Sequence, residues 1–237
     1  MLRFMQTDVK RNLYLAIDTC GATGTVAIGR LEGQAVEILS QTELEGRSFS
    51  AKLVAAVGDL LAQAGVTLRD LAGIVAVSGP GSFTGVRVGL SAVKGFAEAA
   101  ELPVLAISRL EVMAVGDLSA ALDAHRHEVF LRLGQSGLAA GELLAGAEEL
   151  AAIDPPPARI AVCDEAAAAL LAPAWPECAI VRVAPPTAAD ALALCAPRLA
   201  AGERVDVALL DGHYLRRSDA EIFGDPTAPA RTGNARG

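Results

Sequence analysis

Short apolar runs separated by glycine-bearing turns open the chain. Leu13-Tyr14-Leu15-Ala16-Ile17 reads as a buried strand. Thr25-Val26-Ala27-Ile28 reads as a second, after a turn holding Gly21 and Gly24, and residues 35–42 as a third, after Glu32-Gly33. Three strands joined by tight turns predict an antiparallel meander. The period then changes. Phe49, Leu53, Ala56, Val57, Leu60, Leu61 and Ala64 recur at helical spacing, which predicts a helix over residues 48–64 stopped by Gly65. Thr67 and Asp70 form a short capping box. A strand over 73–77, a helix over 86–100 and a strand over 103–107 complete the order βββαβαβ.

The second half opens with a helical stretch over 108–115 and two strands over 120–124 and 128–133. The acidic segment 139–150 reads as loop or short helix. Pro155-Pro156-Pro157 is a stiff connector. A strand over 159–163, a helix over 165–171, a strand over 179–183 and a helix over 187–200 follow. The expected organisation is α/β with two lobes, 13–107 and 108–223. Residues 1–12 and the polar, Pro/Gly-bearing 224–237 are expected to be flexible ends.

Composition narrows the classes. Of 237 residues, 52% are hydrophobic and 20% charged, which suits a globular chain, and aromatics at 4% leave an aliphatic core. Lys+Arg number 20 against 28 Asp+Glu, a net charge of −8. Affinity for nucleic acid comes largely from cations on phosphates, so little direct contact with RNA is expected. Cys20, Cys163, Cys178 and Cys195 are too far apart in sequence for a zinc pair. With no signal-peptide pattern and no apolar run of membrane-spanning length, a cytoplasmic protein with reduced thiols is expected.

Four stretches could carry chemistry. In Asp18-Thr19-Cys20-Gly21-Ala22-Thr23-Gly24-Thr25, a carboxylate at a strand end followed by hydroxyl residues can hold hydrated Mg²⁺ and a terminal phosphate; equally, an Asp here can hydrogen-bond its own turn. Ser78-Gly79-Pro80-Gly81-Ser82-Phe83-Thr84-Gly85-Val86-Arg87-Val88-Gly89 joins a strand to a helix through a turn that can face an anion, yet lacks the Gly-Lys-Ser/Thr of a P-loop. Asp18, Thr19, Gly79 and Gly81 are thus weak nucleotide candidates. The helix behind carries Gly85, Gly89 and Ala92 on one side, with Ser91, Gly95 and Ala99 beside them. Glycine inside a helix costs about 1 kcal/mol against alanine, and small residues at spacings of three and four let another helix approach closely, so a partner helix, internal or on another chain, is expected.

His125 and His127 could share a strand face toward a metal, but no third ligand stands at a recognisable spacing. Arg216, Arg217, Asp219 and Glu221 could form a surface ion-pair cluster or a docking patch. No activated nucleophile is visible, because Cys20 has no evident base partner.

Taken together, these residues resemble the TsaB family, the small subunit of the bacterial machinery that makes N6-threonylcarbamoyladenosine in tRNA. The matching pieces are Leu15-Ala16-Ile17-Asp18-Thr19, Arg47-Ser48, Leu71-Ala72-Gly73-Ile74, and the Gly79 to Gly89 string. Ser108-Arg109-Leu110, Asp123-Ala124 with Glu128-Val129-Phe130, and Tyr214-Leu215-Arg216 onward to Glu221 complete the set.

The resemblance implies an actin-like/hexokinase-like (ribonuclease H-like) fold of two αβ lobes. It implies a non-catalytic subunit that pairs through two N-lobe helices with a paralogous TsaD-like transferase subunit, alongside a TsaE-like ATPase subunit, and that can form a homodimer when alone. This chain would then need no cofactor, with ATP, Mg²⁺ and metal on the partner subunits. Phe49, Leu53, Ala56, Leu60, Gly85, Gly89, Ala92 and Phe96 become the expected partner interface, and Gly89→Leu is expected to weaken pairing while sparing the fold.

Two departures bear on activity. Phe49 stands where many relatives have histidine, and the first helix lacks the histidine pair of catalytic paralogues, so no metal site is expected there. Ala161-Val162-Cys163-Asp164-Glu165 stands where catalytic members have a glycine-rich nucleotide loop, and its carboxylates would repel phosphates. The alternative is an actin-fold ATPase or phosphotransferase using Asp18 and Mg²⁺.

Overall fold

The computed structural model describes residues 12–45, 49–116, 118–134 and 141–216. The expected flexible ends, apart from Asn12, lie outside these residues. So do Arg47-Ser48 and the segment from Arg217 to Glu221.

Two five-stranded sheets share one plan. The first holds β1 (Leu13–Asp18), β2 (Thr23–Glu32), β3 (Ala35–Glu45), β4 (Gly73–Val77) and β5 (Val104–Ile107) in the order β3-β2-β1-β4-β5. The second holds β6 (Ser119–Asp123), β7 (Val129–Arg132), β8 (Glu142–Ala145), β9 (Arg159–Val162) and β10 (Ala179–Arg182) in the order β10-β9-β6-β7-β8. Each begins as the expected antiparallel meander and then adds two parallel strands beside its first strand. The βββαβαβ order therefore occurs twice, giving the two αβ lobes of an actin-like fold.

The first sheet is covered on both faces. Helices α1 (Phe49–Gln63) and α2 (Phe83–Ala100) lie on one. Their buried positions form stripes of helical period: Phe49, Leu53, Val57, Leu60 and Leu61 on α1, and Gly85, Val86, Gly89, Leu90, Val93 and Ala97 on α2. Adjacent residues of a strand point to opposite faces. Gly24 accordingly lies under the Phe49 ring of α1, whereas the Thr25 hydroxyl accepts the Ala188 N–H at 2.7 Å on the other face. That second face is closed by α6 (Ala188–Leu194), with α7 (Ala196–Ala200) beside it.

The second sheet alternates in the same way. Ala121, Val129 and Leu131 pack with α4 (Ala147–Ala152) and α5 (Glu165–Ala174), whereas Ala120, Leu122 and Phe130 pack with α3 (Arg109–Met113).

Four expectations need correction. Helix α2 starts three residues early, at Phe83, because the Ser82 hydroxyl accepts the Gly85 N–H at 3.2 Å and caps it. Part of the acidic segment 139–150 is strand β8, paired with β7, followed by α4. The expected helix over 187–200 is two helices that break at Cys195, ahead of Pro197. Lastly, the described residues of the expected second lobe, 108–223, do not all pack in one lobe. Ala188, Ala191, Leu192, Cys195, Leu199 and Leu210 belong to the first lobe's core, and Val205 N–H bonds the Val104 carbonyl at 2.8 Å.

Gly85 and Gly89 also differ from expectation, for both are buried inside the lobe. A Cβ on Gly85 would overlap the Thr19 carbonyl oxygen, and one on Gly89 would overlap Thr19 Oγ1. Their lack of side chains lets the β1–β2 turn rest on α2, so they are not surface contacts for a partner. Gly89→Leu should therefore unfold the protein at lower urea, losing about 2 kcal/mol or more. Exposed Gly95, whose Cβ would meet nothing within 4 Å, should gain about 0.5–1 kcal/mol as alanine. Urea denaturation of both variants checks the contrast; an unchanged Gly89→Leu midpoint would restore the surface assignment.

Candidate functional site

The structure brings the four nucleotide candidates together and joins them to one another. Asp18 ends β1 with 2% exposure. Its Oδ1 accepts the Cys20 N–H at 2.7 Å, and its Oδ2 lies 3.3 Å from Arg109 Nε. The Arg109 side chain is itself only 9% exposed, and its guanidinium presses against Gly21. The Thr19 hydroxyl donates to the Gly85 carbonyl at 2.6 Å. The Ser82 N–H bonds the Cys20 carbonyl at 2.8 Å, and the Arg109 N–H bonds the Gly79 carbonyl at 2.6 Å. A Cβ on Gly81, whose φ is +155°, would overlap the Cys20 carbonyl oxygen. Glycine is required there because one turn lies directly on the other.

The fold family implies a Mg²⁺–nucleotide site at this strand end, and the residues present do not fit one. Both Asp18 oxygens are engaged, one by a guanidinium that already balances its charge, and the Thr19 hydroxyl is spent on a backbone carbonyl. Cys20 is no replacement nucleophile: burial, reinforced by the Asp18 charge, pushes its thiol well above its ordinary value. In the second lobe, Asp164 caps α5 by accepting the Ala167 N–H at 2.7 Å, and its other oxygen takes the Asp123 N–H at 3.0 Å. Glu165 pairs with Arg182 at 2.7 Å. The helix end that would meet a phosphate is thus covered by the protein's own carboxylate.

Among the described residues, no three His, Cys, Asp or Glu side chains gather as metal ligands. His125 and His127 share no strand face. Both lie in the turn between β6 and β7, and His125 Nδ1 sits 2.8 Å from Asp123. Arg216 pairs with Glu128, so this part of the expected surface cluster faces the second lobe.

Sequence reasoning missed a polar hub between the lobes. The Glu142 side chain on β8 is 5% exposed. It accepts the Ser108 hydroxyl at 2.6 Å and Arg132 Nη1 at 3.0 Å. His213 Nε2 lies 2.8 Å from Glu142 Oε2, an ion-pair distance without the geometry of a formed hydrogen bond. The His213 N–H meanwhile bonds the Ser78 carbonyl at 2.7 Å, so residues 211–216 strap one lobe to the other.

The outer surface of α1 and α2 holds a second candidate, an open groove of about 320 Å³. Phe49, Leu53, Val54, Val88 and Ala92 form its apolar lining, and Ser50, Ser91 and Arg87 its polar lining. Of the expected interface residues, half-buried Ala92 lines this groove, and Phe49 and Leu53, buried in the core at 5% and 1% exposure, form its floor. Leu60 is buried in the core, while Ala56 and Phe96 are half-buried against it. The most exposed apolar residue of the groove is Val54, at 61%, which the sequence reading passed over. No described helix is long and apolar enough to cross a membrane.

Duplicated lobes with a strand-end carboxylate between them define the class, an actin-like αβ protein. Within that class, residues 36–171 match the family described as "TsaD: tRNA N6-adenosine threonylcarbamoyltransferase". The chain is 36% identical over 124 residues to the tRNA threonylcarbamoyladenosine biosynthesis protein TsaB of Escherichia coli, covering 49% of this chain and 52% of that protein. It is 34% identical over 127 residues to its counterpart in Bacillus subtilis, covering 51% and 54%. These matches span about half the length of either relative. A solved structure from Pseudomonas aeruginosa, described as similar to the peptidase YeaZ, superposes with a TM-score of 0.70 at 30% identity; 86% of this chain and 100% of that one are covered. The chain belongs to the TsaB family.

The hub sets a pH dependence. Contact with Glu142 raises the His213 pKa from its ordinary 6.5, outweighing burial and Arg132. Burial alone would raise Glu142 from 4.5, but the contacts with His213, Ser108 and Arg132 lower it. The histidine contribution is therefore complete below 6.5 and fades as pH rises through the raised value. The glutamate contribution is complete above 4.5 and fades as pH falls through the lowered one. Stabilisation by the pair should peak between these ordinary values. In an NMR titration, His213 should show a midpoint above 6.5 that falls back in Glu142→Gln; a midpoint insensitive to that change would contradict the pairing.

Proposed function

We propose that this chain is a non-catalytic subunit in the formation of N6-threonylcarbamoyladenosine in tRNA, working in the cytoplasm as the partner of a TsaD-like transferase. One observation carries the non-catalytic reading: the two turns that could cradle a phosphate are hydrogen-bonded to each other, with Arg109 on Asp18. The names of the curated relatives point to the pathway, and the match to the transferase family points to a partner built on the same lobes.

Pairing is assigned to the α1–α2 groove. Its apolar lining is what a helix pair of a related chain would cover, since non-polar contact supplies most of the association energy. A TsaE-like ATPase subunit completes the assembly, ATP and metal belong to the partners, and the same groove serves a homodimer when the chain is alone. An ATPase or phosphotransferase using Asp18 and Mg²⁺ has no observation in its favour, because the Asp18 carboxylate is already paired.

Reconstitution with the transferase and ATPase subunits and unmodified tRNA tests the reading. Leaving this chain out should reduce modification to background, and Val54→Glu should do the same while keeping its thermal stability, because a carboxylate at an exposed groove position hinders only docking. Equal modification with and without the chain would reject the scaffold role.

A further inference from the structure

One rim of the groove carries an arrangement that apolar docking does not use. The Arg87 guanidinium lies 3.7 Å from the centroid of the Phe83 ring, and its Nε donates to the Tyr214 hydroxyl at 3.3 Å. The two rings stand 5.3 Å apart at 49°. Phe83 is 45% exposed and Tyr214 38%, so the cluster faces solvent. No carboxylate of the described residues forms an ion pair with Arg87. A held but unpaired guanidinium stands out in a chain of net charge −8. Its order has a source: Tyr214 follows His213, whose backbone is fixed to Ser78 and whose ring meets Glu142.

A guanidinium stacked on one ring and bonded to a second has little conformational freedom left to lose on binding. Its remaining N–H groups match the fork of a carboxylate.

We propose that Arg87, set by Phe83 and Tyr214, is the polar anchor of the groove and receives a carboxylate from an amphipathic helix of the partner, whose apolar face covers Val54, Val88 and Ala92. Charge and lining select this occupant. A helix in a groove supplies apolar contacts at helical spacing plus one placed charge. Nucleic acid would call for several cations along a track, and Arg87 is the one cation of the groove lining. The proposal rests on the docking reading above and adds the residue that sets orientation and selectivity.

The test is isothermal titration of the full chain against the transferase-family subunit of the same organism, at low and high salt. Wild type, Arg87→Gln, Arg87→Lys and Val54→Glu are compared, with thermal melts as fold controls. Arg87→Gln should weaken binding about ten-fold or more and flatten its salt dependence. Arg87→Lys should not restore it, because lysine lacks the planar fork. Val54→Glu should abolish binding. If Val54→Glu abolishes binding and Arg87→Gln leaves it unchanged, the groove stands and the anchor is overturned. No binding by wild type overturns the docking reading and the anchor with it. Binding of tRNA by the free chain that Arg87→Gln removes would overturn the carboxylate assignment in favour of phosphate.

Discussion

The contact between two turns, Asp18–Gly24 and Ser78–Gly85, is the constraint on which the rest of the molecule depends. One ends the central strand of the first sheet, and the other leads into α2. They touch through the Ser82 N–H on the Cys20 carbonyl, backbone to backbone, and through the Thr19 hydroxyl on the Gly85 carbonyl. Glycine at 81, 85 and 89 makes that approach sterically possible. The Asp18–Arg109 pair lies at the same point and ties in the start of the second half of the chain. Stranding one member of a buried ion pair typically costs about 3–5 kcal/mol, so these two residues are mutually dependent.

Two consequences follow from that closure. It consumes the polar groups that would otherwise meet Mg²⁺ and phosphate. It also seats α2 on the β1–β2 turn through Gly85 and Gly89, leaving Val88, Ser91 and Ala92 on the groove side beside Val54 of α1. The groove thus lies on the far side of the helix that closes the nucleotide cleft. The strap through His213 and Tyr214 spans both places, meeting Ser78 at the turn and Arg87 at the groove rim.

Much of this was legible in the residue pattern, and the limits have physical causes. Strands β1 and β4 are near-continuous apolar runs, β2 shows through its central Val26-Ala27-Ile28, and α1 and α2 have clear apolar stripes, so the residue pattern located them, though not every boundary. The TsaB family string placed the whole chain in its fold. The acidic stretch around Glu142 hid β8, because pairing with β7 decides its conformation and local composition does not. Gly85 and Gly89 of α2 signalled close packing, but the neighbour is the Thr19 turn and not the expected helix, and nothing local could name it: Thr19 lies 66 residues from Gly85. Arg109 is 91 residues from Asp18; its place in a helical stretch and in the family-matching Ser108-Arg109-Leu110 named no partner for it. A cation opening a short helix at the junction between lobes was the available signal. Glu142 and His213 belong to the same class of long-range pair.

The most direct measurement is calorimetric titration of the purified chain with ATP and Mg²⁺, alongside Asp18→Ala. With the two turns closed on each other and Arg109 on Asp18, no saturable binding is predicted for the wild type. Micromolar, Mg²⁺-dependent binding that disappears in Asp18→Ala would contradict the closed cleft and return the chain to the nucleotide-using members of its fold.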